Sequence, residues 1–353
     1  MPALLHRHDE HRLQTPYLTG IIAAIHRRVR SAARLLFVLA VAAAAWQYRA
    51  ELLRYLPATV VATSPHEQYA AALRARGLDE TELGRKWLAV ADASVAEPRA
   101  VGAAFTHHGE FDDGASDALA WRFAARRGQR IVVSAEFASG ELFLDLLDVD
   151  GKKVLAGHTA AAPLTYEVGA DGEFLLRAQP EILRVGPYRV EQITEPSLAF
   201  PVRDISPSSV HGPFGAARDG GRRRHEGIDI FAPRGTPVVA AVDGWITGAT
   251  TNRLGGNVVW LWSPSRRIAL YYAHLDRHAV SRGERVEAGE VLGYVGTTGN
   301  ARGTPPHLHF GVYATGEGAV DPAPFVVSPA RGPARRRATA SRPEHVMHRS
   351  GAY

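Results

Sequence analysis

The chain of 353 residues is 46% hydrophobic and 22% charged, with a formal net charge of +5, a globular composition long enough for two or three domains. It holds 16 His and no Cys, which excludes disulfide frameworks, thiolate zinc fingers, iron–sulfur clusters, a cysteine nucleophile and a cysteine-linked lipid anchor, and leaves His, Asp and Glu for any protein-built transition-metal site. Much of the cationic excess sits at the two ends, as topology signal or solvated tail, which argues against nucleic acid as a partner.

Residues 1–50 read as a cytoplasmic flank followed by a signal or membrane-anchor helix. Arg27, Arg28, Arg30 and Arg34 precede the apolar run Leu35–Trp46. That run is shorter than the ~20 residues of a spanning helix. It suits a signal-peptide core, with Ala43, Ala44 and Ala45 for cleavage, or an anchor lengthened by a snorkelling Arg34 and interfacial Trp46 and Tyr48. Either reading exports the rest to the periplasm or cell envelope, and the second ties it to the inner membrane. A buried soluble helix is the third.

Residues 51–96 read as a helical linker. Ser64 caps a helix that starts at Pro65, with Glu67 in its first turn. Gly77 breaks it, Asp79 caps a second helix, and Leu83, Trp87, Leu88 and Ala91 form one packing face. Residues 97–195 change to a shorter period. Ile131–Phe137, Leu142–Asp148, Leu164–Val168, Glu173–Ala178 and Tyr188–Glu191 are strand-like runs, bounded by turn signals such as Arg127-Gly128 and Asp150-Gly151. Their spacing predicts an antiparallel β-sandwich, similar to the jelly-roll-like domains that accompany secreted peptidases. This unit reads as a spacer or binding module. His107-His108 with Asp112-Asp113 reads as a solvated turn, since adjacent His on a strand face opposite ways. Residues 196–327 form a second β-rich unit, and 328–353 a disordered basic tail.

Three patterns in the second unit carry chemistry. His225-Glu226-Gly227-Ile228-Asp229 sets an imidazole and a carboxylate four positions apart before a strand-like run. Tyr272-Ala273-His274 ends an apolar strand with a His. His307-Leu308-His309 puts two imidazoles on one strand face, with Leu308 and Phe310 on the other. The grouping suggests a metal-centred hydrolytic site. Three protein ligands leave a position for water, whose pKa falls toward ~7, and further His move protons or hold an oxyanion.

Residues 205–327 resemble the LytM-type M23 metallopeptidases, the lysostaphin-like peptidoglycan endopeptidases. The matching text is Phe214-Gly215, His225–Asp229, Pro233–Val238, Val242–Gly244, Gly255–Val258, Tyr272–Leu275, Val286–Gly293 and His307–Phe310. The resemblance implies an M23-type antiparallel β-sheet domain, so the expected fold class is mainly β. It implies one Zn2+ per chain on His225, Asp229 and His309. It implies His274 and His307 as a catalytic pair that does not ligate, and peptidoglycan stem or cross-link peptides as substrate. His211 and His278 match no motif position and read as surface or loop histidines.

Two departures bear on specificity. The loop Gly299–Pro306 is longer and richer in proline than the family's usual approach to the paired His, and Gly311 stands where many relatives carry Glu. The basic loop Arg218–Arg224 precedes His225 and reads as an exposed loop or as a contact for substrate carboxylates. Segment 283–296 also resembles the hairpins of biotinyl and lipoyl carriers, but it has no Lys to modify. Two other functions compete: a non-catalytic wall-binding regulator that activates another hydrolase, and a peptidase for a secreted protein. The presence of all five site residues favours catalysis over the regulator.

Overall fold

The computed structural model describes residues 63–113 and 117–329. The expected signal or anchor segment and the basic tail lie outside them. Helix α1 (Pro65–Ala75) opens in a capping box: Glu67 N donates to Ser64 Oγ at 3.1 Å and Ser64 N donates to Glu67 Oε2 at 2.9 Å. Helix α2 (Glu82–Ala96) is capped by Thr81, whose Oγ1 accepts from Gly84 N at 3.1 Å. Asp79, the expected cap, lies instead in a 3-10 turn between the helices. Among the described residues no helix is long and apolar enough to cross a membrane.

Nine strands follow: β1 Arg99–Ala100, β2 Ala104–Phe111, β3 Leu119–Ala125, β4 Gln129–Phe137, β5 Leu142–Leu147, β6 Val154–Thr159, β7 Leu164–Glu167, β8 Gly172–Pro180 and β9 Gly186–Pro196. They form two sheets, ordered β1-β3-β8-β5-β6 and β2-β9-β4-β7. All pairs are antiparallel except β1 with β3. Trp121, Phe123, Ile131, Val133, Leu142, Leu144 and Leu146 build one core from both sheets. His107 and His108 sit within β2 rather than in a turn, and the His107 ring stacks on Tyr188 at 5.8 Å.

Alternation along β5 turns Phe143 and Asp145 to the other face of their sheet. There Phe143 packs against Leu73 and Trp87 of the two helices. Trp87 Nε1 donates to Pro180 O at 2.9 Å, and Gln179 Nε2 donates to Trp87 O at 2.8 Å. Arg177 bonds Asp145 Oδ2 at 2.5 Å and donates to His66 Nδ1 at 2.9 Å. His66 Nε2 then donates to Gln179 Oε1 at 2.7 Å. Burial and the neighbouring Arg177 cation hold His66 below its ordinary pKa of 6.5.

Residues 210–326 add β10 Val210–Gly212, β11 Ala217–Arg218, β12 Arg223–Arg224, β13 Ile228–Phe231, β14 Pro237–Val239, β15 Gly244–Asn252, β16 Gly256–Ser263, β17 Ile268–His278, β18 Arg285–Val286, β19 Val291–Val295, β20 His307–Ala314, β21 Gly318–Val320 and the short helix α3 (Ala323–Val326). The main path of this sheet is β10-β13-β20-β17-β16-β15-β18, and β11-β12 is a separate hairpin. Ile228, Ile230, Leu270, Tyr272, Leu308 and Phe310 face its core. The opposite face of the central strands carries the polar groups described next.

Candidate metal centre and active site

The pairing of β13 with β20 sets the first half of the site. Its antiparallel register places Asp229 directly across from His309, and Phe231 across from His307. Ile228, Ile230, Leu308 and Phe310 enter the core, so Asp229, His307 and His309 share the other face. His225 lies just before β13. Its Nε2 is 3.0 Å from Asp229 Oδ1 and 2.9 Å from His309 Nδ1, and His309 Nδ1 is 3.2 Å from Asp229 Oδ1. Pro213 O can only accept, and it lies 2.9 Å from His225 Nδ1. That contact fixes the Nδ1–H tautomer of the neutral ring and turns the Nε2 lone pair toward Asp229 and His309.

His274 reaches the same face by a different route. Alternation from Leu270 and Tyr272 would send it into the core. Its φ of 63° and a register shift between β16 and β17 prevent that. Leu275 takes the core position instead. The His274 ring then lies 5.1 Å from the His307 ring and 5.9 Å from the His309 ring. Its Nδ1–H donates to Thr298 O at 3.0 Å, and His307 Nδ1–H donates to Pro305 O at 2.9 Å. In the neutral tautomer these contacts select, Nε2 of each ring carries no proton.

The electrostatics follow from this crowding. Burial works against the ionised form of Asp229, but the imidazoles of His225 and His309 outweigh it and hold the carboxyl well below the usual carboxylate range. Burial lowers the His309 pKa. Burial, then the neighbouring His307 and His309, lowers that of His274 to about 4. A cleft of about 280 Å³ opens over the five residues, lined also by Arg218, Arg223, Tyr271, Asn300 and Thr304. The long loop Gly299–Pro306 thus forms one wall. Behind Tyr271, Trp260 packs on it at 4.5 Å and on Tyr313 at 5.1 Å.

Three side chains in the described residues bring one ligand atom each into a group that suits a metal ion: His225, Asp229 and His309. The surroundings fit that use. A Cβ on Gly212 would collide with the Asp229 carboxylate, and one on Gly227 would lie 2.7 Å from His309 Cε1. Two imidazoles and one carboxylate are a donor set that zinc accepts with a position left open. His211 and His278 stay outside the group; His211 packs on Phe231 at 5.8 Å.

Sequence reasoning missed four supporting residues. Arg218 leaves the basic loop and donates from Nη2 to Asp229 Oδ2 at 2.6 Å. Gly212 gives the carboxylate room. Asn257 Nδ2 donates to Leu275 O at 3.1 Å and Asp276 O at 2.9 Å, and Thr298 Oγ1 donates to Leu275 O at 2.8 Å, holding the backbone that follows His274. The Gly255–Val258 motif text contained Asn257 and could have drawn attention to it.

Residues 223–322 match the model of Peptidase family M23. The chain therefore carries an M23 peptidase domain, a family whose members are zinc-dependent. Glycyl-glycine endopeptidase ALE-1 of Staphylococcus capitis is 39% identical over 122 residues, 33% of this chain and 33% of that protein. The L-Ala--D-Glu endopeptidase of Bacillus subtilis is 38% identical over 139 residues, 36% of this chain and 42% of that protein. The chain thus spans less than half the length of either relative. The solved catalytic domain of lysostaphin from Staphylococcus simulans is 36% identical, covers 33% of this chain and 87% of its own, and aligns with a TM-score of 0.30.

Proposed function

We propose that this chain is an exported zinc endopeptidase that hydrolyses amide bonds in peptidoglycan stem or cross-link peptides. Its parts are a signal or inner-membrane anchor in 1–50, a helical linker in 51–96, a jelly-roll-like accessory domain in 97–195, the peptidase domain in 196–327 and a basic tail in 328–353. The observation that carries the reading is the approach of His225 Nε2, Asp229 Oδ1 and His309 Nδ1 to within 3.2 Å of one another beside two further imidazoles. The M23 match and the endopeptidase relatives support the substrate class.

His225, Asp229 and His309 would hold the zinc, which would supply Lewis acidity at the scissile carbonyl and make hydroxide available at neutral pH. His274 and His307 do the rest with their Nε2 atoms, which the Thr298 and Pro305 carbonyls leave unprotonated. One takes a proton from the attacking water, is a hydrogen-bond donor beside the developing oxyanion while it carries that proton, and returns it to the leaving amine; the other offers a second acceptor for the same proton. The pKa of His274, lowered to about 4, keeps it neutral and able to accept at physiological pH.

The test is digestion of purified peptidoglycan followed by mass spectrometry of the muropeptides. New amine ends are expected, lost on chelation and regained with added zinc. Bound zinc with no new amine ends would point to a regulator. Cleavage of Gly-rich peptides with the wall fragments intact would point to a secreted-protein peptidase.

A further inference from the structure

Resting on the zinc-site reading above, we infer that Arg218 is a positioning residue that restricts Asp229 to one ligating oxygen. The two carboxylate oxygens of Asp229 have divided partners. Oδ1 faces His225 Nε2 at 3.0 Å and His309 Nδ1 at 3.2 Å. Oδ2 accepts from Arg218 Nη2 at 2.6 Å, within the range of a strong charge-assisted bond. The same Nη2 lies 3.1 Å from His225 Nδ1, so the guanidinium spans the outer side of both neighbours. Gly212 closes the remaining side, since any Cβ there would meet the carboxylate. Asp229 therefore cannot rotate to offer both oxygens without breaking the Arg218 bond. Arg218 itself is placed by the β11-β12 hairpin, where Arg218 pairs with Arg223.

This arrangement has a consequence that a stabilising ion pair alone would not have. A carboxylate free to bind through both oxygens would fill a position that hydrolysis needs open. Arg218 also sets a cation near the metal ion, which opposes its binding. Removing Arg218 thus frees Oδ2 and removes a repulsion, so metal affinity holds or rises while turnover falls.

The experiment compares wild type with Arg218→Ala and Arg218→Lys in the full chain. Zinc affinity is read by chelator competition, the visible absorption after cobalt(II) substitution reports coordination number, and peptidoglycan hydrolysis gives turnover. Arg218→Ala is expected to bind zinc at least as tightly as wild type. Its cobalt bands weaken, as they do when coordination number rises. Turnover falls about 10–100-fold, the range of outer partners of metal ligands. Arg218→Lys, which keeps a single charged donor, recovers part of the band intensity. An unchanged cobalt spectrum in Arg218→Ala overturns the inference, and so does a loss of zinc affinity together with a lowered melting temperature, which marks a purely structural role. A wild-type chain that binds neither zinc nor cobalt would instead overturn the zinc-site reading.

Discussion

His274 has a φ of 63°, a conformation that costs a non-glycine residue on the order of 1–3 kcal/mol and persists where the surroundings over-determine it. Here Asn257 and Thr298 fix the carbonyls that follow it. Asn257→Ala is expected to keep its full zinc content and to lose turnover on the order of 100-fold, because displacement of a catalytic group by about 1 Å has that cost. Equal turnover in the variant and wild type would remove Asn257 from the account. The local motifs exposed much at this scale. His225 with Asp229, and His307 with His309, declare themselves by spacing alone. Arg218 does not, because Arg222, Arg223 and Arg224 crowd the same loop and only the folded hairpin shows which cation turns inward. The turn of His274 away from the core was equally hidden, since strand alternation predicts the opposite face.

Among the elements, β13, β17 and β20 position the site because one side of them carries Asp229, His274, His307 and His309 while the other buries Ile, Leu, Tyr and Phe. Tyr272 belongs to that buried side, and its hydroxyl accepts from Ala241 N at 3.0 Å. Tyr272→Phe leaves this buried N–H without an acceptor and should cost about 1–3 kcal/mol, readable by urea unfolding. The helix pair responds to pH through His66, which Arg177, Asp145, Gln179 and Glu67 surround. Its pKa falls on folding, so the unfolded chain takes the proton first as pH drops. Its contribution to stability is whole well above pH 6.5 and is lost as pH falls through 6.5 toward the folded value. Melting temperatures from pH 7.5 to about 5 should decline less steeply in His66→Gln than in wild type; parallel declines would remove His66 as a cause. Sequence patterns found β4, β5, β7, β8 and β9 but passed over β1, β2, β3 and β6. The text of β2, AFTHHGEF, has little apolar alternation, and β3, LAWRFAA, reads equally well as helix. β2 and β3 owe their form to β9 and β8, partners distant in sequence, whereas β6 pairs with its neighbour β5.

Across the whole described chain, the two β units meet at a small set of contacts. Phe325 of α3 covers Gly128, whose φ is 86° and whose missing Cβ makes room for the ring. Ser197 N donates to Gly128 O at 3.1 Å, and Arg127 Nη1 bonds Glu317 Oε2 at 2.6 Å. The exposed ion pair adds little by itself. Gly128→Ala should therefore destabilise by about 1–3 kcal/mol, through overpacking against Phe325 and the unfavourable φ; a melting temperature equal to wild type would show that the junction yields without cost. Composition and turn spacing made the two β units legible, whereas this junction depends on a single glycine and a ring far along the chain.

Zinc content of His309→Ala and His307→Ala, measured side by side on the folded proteins together with turnover, tests the division of the five residues most directly. His309→Ala should lose both metal and activity, and His307→Ala should retain most of its metal while losing turnover. Equal loss of zinc from the two variants would contradict the assignment of three ligands and a separate histidine pair.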